Sequence, residues 1–203
     1  MKGLIIKDLI NLKKQAKVFG FLMAFYVFLA IAMENAAMFG GIITILFAIL
    51  PITALSYDER ARWDKYALTM PISRQDLVIG KYLLGGIFMG LAFLIYLMFG
   101  LITRMETPFN VLLISAALMG VGLVFLAILL PILFKWGVEK GRFLMIAVLA
   151  VPTAAIVVAS KLGITPPSER MLHTVAFLSP FIVLIILAGS IFLSVRVYMN
   201  KEF

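Results

Sequence analysis

YDERARWDKYALTMPISRQDLVIGK, residues 57–81, is the longest charged interval in a chain of 203 residues that is 64% hydrophobic and only 14% charged. Apolar runs of about twenty residues lie on either side of it, the length that carries a helix across a hydrocarbon core. A soluble domain holds about a quarter charged residues, so a water-soluble class fits this composition poorly. The runs are continuously apolar, whereas the strands of a membrane β-barrel alternate over about ten residues. The expected fold class is therefore all-α, a polytopic membrane protein. The interval 57–81 is where such a protein meets water.

Working outward, six spans are expected within a single transmembrane domain of residues 1–203, at 18–33, 36–56, 82–103, 111–134, 143–158 and 175–195. Before the first, residues 1–17 pattern as a basic amphipathic helix lying in the interface. Leu4, Ile5, Leu9, Leu12 and Ala16 gather on one side, and Lys7, Asp8, Asn11, Lys14 and Gln15 on the other. Lys13 and Lys17 flank the apolar arc. A flexible basic leader is the competing reading, and a signal peptide ending at Ala30–Ala32 is disfavoured because this leader exceeds an ordinary n-region. Glu34–Asn35 closes the first span in a short turn, and Arg104–Asn110 makes another with Pro108 as its breaker. Lys135–Arg142 (KWGVEKGR) reads as a second polar loop, and Ser160–Thr174 as a longer one in which Ser168–Glu169 starts a helix. Gly86 and Gly90 have the spacing of close helix contact, with packing inside the subunit as the expected use.

The net charge of +8 would fit nucleic acid in a soluble protein. Here the basic residues sit at span ends, where they set topology and touch anionic lipid, and no nucleic-acid partner is expected. Of the 18 Lys and Arg, all but Arg104, Lys161 and Arg170 fall on one side of the six-span arrangement. That bias puts both termini and residues 57–81 in the cytoplasm. The chain contains no cysteine, which excludes disulfides and thiolate metal sites.

The pattern also argues against several chemistries. No ionisable residue falls in the middle of a span as drawn, whereas proton-coupled carriers keep such groups to relay protons. Coupling to sodium through backbone carbonyls stays open. The single His173 lies in an outer loop without a second imidazole, so no metal site is expected. There is no G-x-S-x-G and no G-x-x-x-x-G-K-[ST]. The chain is expected to be no enzyme and to hold no cofactor, and any ATP that drives it binds another polypeptide.

Within the interval, Asp58–Leu68 has helical character. Asp58 and Arg62, and Arg60 and Asp64, stand at i, i+4 and can pair along a helix. Trp63, Tyr66 and Ala67 fall on one face. Pro71 interrupts the helix, and Ser73 with Asp76 forms a capping box from which a fresh helix starts near Arg74. Two readings compete at this level. Trp63 and Tyr66 are interface anchors among solvated charges, or the short helix is a docking element for a soluble partner.

The order of Glu59, Trp63–Asp64, Tyr66, then Thr69–Arg74 (TMPISR) and Lys81–Tyr82 resembles small ABC-2 type permeases, and the likeness covers essentially the whole chain. It extends to the bacterial subgroup that exports amphipathic peptides, such as the phenol-soluble modulin exporter permease. The resemblance implies a transmembrane subunit of an ATP-binding-cassette exporter in the bacterial cytoplasmic membrane. It implies an interfacial elbow helix at residues 1–17 and a coupling helix in the loop 57–81. Two cytosolic ATPase subunits carrying ATP and Mg, a second permease subunit in a homodimer, membrane lipid and a hydrophobic or amphipathic peptide cargo would be the partners. The coupling residues it implies are Asp58, Glu59, Arg60, Arg62, Trp63, Asp64, Tyr66, Ser73 and Arg74. The loop between the fifth and sixth expected spans is short, which departs from relatives with a large outer domain. An ion-coupled secondary transporter and a non-transporting immunity or sensor protein are the alternatives.

Overall fold

The computed structural model describes residues 2–162 and 169–200. Among them are eight helices: α1 (Lys2–Lys13), α2 (Ala16–Ala32), α3 (Ala36–Arg60), α4 (Trp63–Ala67), α5 (Arg74–Thr103), α6 (Pro108–Trp136), α7 (Val138–Lys161) and α8 (Glu169–Met199). The expected helix start at Ser168, Lys201 and the side chains of Arg142, Arg170 and His173 lie outside the described residues.

The chain is a polytopic all-α membrane protein. Four helices are long and apolar enough to cross a bilayer: α3, α5, α6 and the Leu178–Met199 part of α8. Counting α1 and α2 as one span broken by a 68° bend raises this to five. The 17 residues of α2 stand at the lower limit for a span by itself.

The exterior is unlike that of a soluble protein. α8 exposes Phe181, Leu184, Ile185 and Phe192, while among its described side chains those it buries are Ser190, Ser194 and Tyr198, at i, i+4 and i+8. α2 exposes Phe21, Phe25 and Phe28. Such an apolar exterior is stable against hydrocarbon, where polar groups gain by turning inward to find partners. Two hydroxyls inside the bundle bond to their own helix: Thr44 to the Gly40 carbonyl at 2.8 Å, and Ser115 to the Val111 carbonyl at 2.6 Å.

α5 and α6 form the centre, with α3 packed on α5 and α8 on α6. Phe39, Ile43, Leu84, Met89, Tyr96, Leu126, Leu129 and Leu130 make the dry interior between them. Gly100 is required there, because a Cβ would lie 2.6 Å from Val111. Gly86 and Gly90 are used differently from expectation. A Cβ on either meets nothing within 4 Å, so their close-approach face is not filled by this subunit.

The expected breaks fall close to where local chemistry puts them. Asn35 caps α3 by accepting the Met38 N–H at 3.0 Å. Thr107 caps α6, which makes Pro108 the first residue of that helix and not the breaker of the preceding turn. The loop expected at 135–142 is absent. α6 runs through Trp136 and α7 begins at Val138, with Gly137 alone making the corner at φ 80°. Only glycine adopts that conformation without strain.

Candidate coupling site

One end of the bundle, the end that carries residues 57–81, gathers α1, the last turns of α3, α4, the first turns of α5, the α6–α7 corner and the end of α8. The expected helix Asp58–Leu68 is divided there. α3 continues from the membrane to Arg60, Arg62 takes a left-handed conformation at φ 49°, and α4 is a separate five-residue helix. The i, i+4 geometry between Asp58 and Arg62 therefore does not form, because the backbone turns between them.

Asp58 is buried and points at lysines of two other helices. Its carboxylate accepts from Lys7 of α1 at 2.5 Å and lies 2.6 Å from Lys81 of α5. Lys81 also donates to Asp8 at 2.7 Å, and Lys7 stands 3.2 Å from the same carboxylate. Two aspartates and two lysines thus form a closed, neutral quartet. A void of about 10 Å³ beside it has at most the room of one water, so the charges solvate one another. Asp8 was expected on the solvated side of the leader. It faces inward instead, in line with Leu4 and Leu12, while Ile6, Leu9 and Ile10 face out. A buried carboxylate needs its counter-charge more than Leu9 needs burial, since outside the bundle Leu9 meets hydrocarbon.

Around this quartet, each residue expected to couple has a distinct place. The Glu59 carboxylate accepts the Val138 N–H at 2.7 Å, capping α7 from the end of α3. Arg60 and Arg62 are exposed. Trp63 is half-buried under the Lys7 ammonium, which sits 4.5 Å from the ring centroid. Asp64 takes the hydroxyl of Tyr198 at the end of α8. Trp63 and Ala67 turn inward, but Tyr66 is 64% exposed, so the expected single aromatic face is split between core and surface. Ser73 and Asp76 form the expected capping box, the Asp76 N–H reaching Ser73 Oγ at 3.1 Å and the Ser73 N–H reaching the Asp76 carboxylate at 3.1 Å. Arg74 gives its guanidinium to the Met199 carbonyl at 2.7 Å, closing the last turn of α8.

A second polar group, missed by the sequence reading, begins at the next residue of α5. Tyr82 of α5 is 2.5 Å from Ser190 and 2.8 Å from Ser194 of α8, and Ser190 donates to the Ala127 carbonyl of α6 at 2.5 Å. Three helices are joined without a charge. The i, i+4 spacing of the two serines was its only trace in the sequence.

The fold and this junction define a polytopic helical membrane protein with a small polar segment tied to most of its helices at one end. Residues 3–199 match the ABC-2 family transporter protein family, and the chain belongs to that family. It is thus an ABC-2 type permease, the membrane component of a transporter whose family associates with a cytosolic ABC ATPase. No curated protein and no solved structure matches it.

Proposed function

We propose that this permease is the membrane half of an exporter of hydrophobic or amphipathic peptides, six-spanning, and homodimeric. In this reading its termini and residues 57–81 lie on the cytoplasmic side of a bacterial cell membrane, and two ATPase subunits bind ATP and Mg. The single observation that carries the reading is the division of labour within residues 58–74. Arg62, Tyr66 and Met70 face outward, open to a soluble partner. Asp58, Glu59, Trp63, Asp64, Ser73 and Arg74 are bonded to, or cap, α1, α5, α7 and α8. A push on the outward residues is delivered to most of the bundle at once, because packed helices move as bodies and do not deform continuously. The split sharpens the expected coupling set into a contact group (Arg62 and Tyr66) and a transmitting group, with Arg60 on a separate cavity of α3.

An apolar cargo is supported by a groove of about 480 Å³ between α5, α6 and α8, faced by Phe93, Phe109, Leu113, Leu123 and Val183 with no charged residue. The test is reconstitution with the ATPase. Tyr66→Ala combined with Arg62→Ala should weaken ATPase binding by about 30-fold, the effect of one interface hot spot, and abolish ATP-driven peptide movement. Membrane insertion should stay normal. Wild-type binding and transport in that variant would remove α4 as the docking element.

A further inference from the structure

Ile49, Ile52, Thr53, Ser56, Tyr57 and Arg60 of α3 follow the spacing i, i+3, i+4, i+7, i+8 and i+11, which is one face of a helix. Over about 16 Å of axis the line passes from hydrocarbon through two hydroxyls and a phenol to a guanidinium. All six border one cavity of about 260 Å³. Gln15, at the bend between α1 and α2, and Met145 of α7 border its other sides.

The polar end of this line has donors in reserve. The Thr53 hydroxyl is used, bonding to the Ile49 carbonyl at 3.0 Å. Tyr57 accepts from the Gln15 amide at 2.9 Å, which leaves its own proton to give. Among the described residues nothing takes that proton, nothing accepts from Ser56, and no carboxylate pairs with Arg60. The adjacent carboxylate, Glu59, is turned to the Val138 N–H. Lys13, Lys14 and Lys17 at the bend are exposed and add positive potential.

We propose that this cavity binds an anionic membrane phospholipid. Arg60, Tyr57 and Ser56 hold the phosphate, and the first part of an acyl chain lies along Ile52, Ile49 and Met145. A guanidinium matches a phosphate's geometry and keeps its charge. A purely apolar ligand would leave these donors unpaired, and a soluble anion would gain nothing from the isoleucine floor. The volume falls below the roughly 300–1,000 Å³ of sites that enclose a whole small molecule, which suits a head-group with its tails left in the bilayer. The proposal requires that the helices cross a bilayer and is independent of where the ATPase docks.

The test is native mass spectrometry of the purified full-length chain with phosphatidylglycerol, with phosphatidylcholine as the neutral lipid and glycerol 3-phosphate as the soluble head-group. Arg60→Gln is compared with Lys2→Gln, which removes one exposed charge elsewhere. The expected result is preferential retention of phosphatidylglycerol, about fivefold weaker in Arg60→Gln and near wild type in Lys2→Gln. Equal losses in the two variants, or equal retention of the two lipids, overturns the site. Glycerol 3-phosphate bound as well as phosphatidylglycerol overturns the lipid and leaves a soluble-phosphate site.

Discussion

Two polar clusters meet at adjacent residues of α5, Lys81 and Tyr82, and they are built on opposite principles. The Lys7–Asp8–Asp58–Lys81 quartet is charged and closed, each carboxylate touching two ammonium groups. The Tyr82–Ser190–Ser194 group is neutral and passes its protons on to a backbone carbonyl of α6. The first joins α1, α3 and α5, which are also the helices that border the polar segment 57–81. The second joins α5, α6 and α8. A buried charge is tolerated only with its counter-charge in place, so the quartet fixes one arrangement of its helices with a steep cost for any other. A serine hydroxyl that loses a partner can turn back to a carbonyl of its own helix, so the neutral group holds its helices less stringently. Under the proposed coupling role, the quartet would transmit motion with less slack than the neutral group.

The largest effect expected from this contrast is in Lys81→Met. It leaves two buried carboxylates facing Lys7 alone and should cost about 3–5 kcal/mol, read as lowered thermal stability in detergent. Adding Asp58→Asn restores neutrality and should recover most of that loss. If the double variant is instead as unstable as the two single losses together, the quartet is not a closed charge set. Tyr82→Phe keeps the ring and removes only the hydroxyl link, so a loss of about 0.6–1.7 kcal/mol is expected, the range for hydrogen bonds between membrane helices. A loss as large as that of Lys81→Met would erase the distinction between the clusters. Smallest of all, Gly86→Ala touches neither cluster and meets no atom within 4 Å. Its expected effect on the stability of a single subunit lies within about 0.5 kcal/mol. A larger drop, measured on a monomer, would mean that the face is filled from within.

Much of the fold was legible because its signals are local. The capping box at Ser73 and Asp76, the short turn at Glu34–Asn35 and the interruption at Pro71 are each set by residues a few positions apart and are found as expected. Local signals failed where a single residue decides. Gly137 replaces an expected loop by a corner, and Arg62 breaks what reads as one helix from Asp58 to Leu68. The candidate site was half legible. Its residues were identified as a polar, aromatic segment, but Trp63 and Asp64 turned out to face Lys7 and Tyr198, and so the outward surface reduces to residues such as Arg62 and Tyr66.

The sequence by itself determined that residues 57–81 are a polar break between apolar helices, in two parts, the second capped and continuous with a long helix. Composition and three- or four-residue spacings are enough for that, since hydrocarbon admits helices and little else. Only the tertiary structure decided which way the polar side chains face. Lys7 and Asp58 are 51 residues apart, and Lys81 and Asp8 are 73 apart, so no local pattern links them. What turns Asp8 inward is the cost of an unpaired charge away from water, and that cost depends on partners that only the packing of α1 against α3 and α5 supplies.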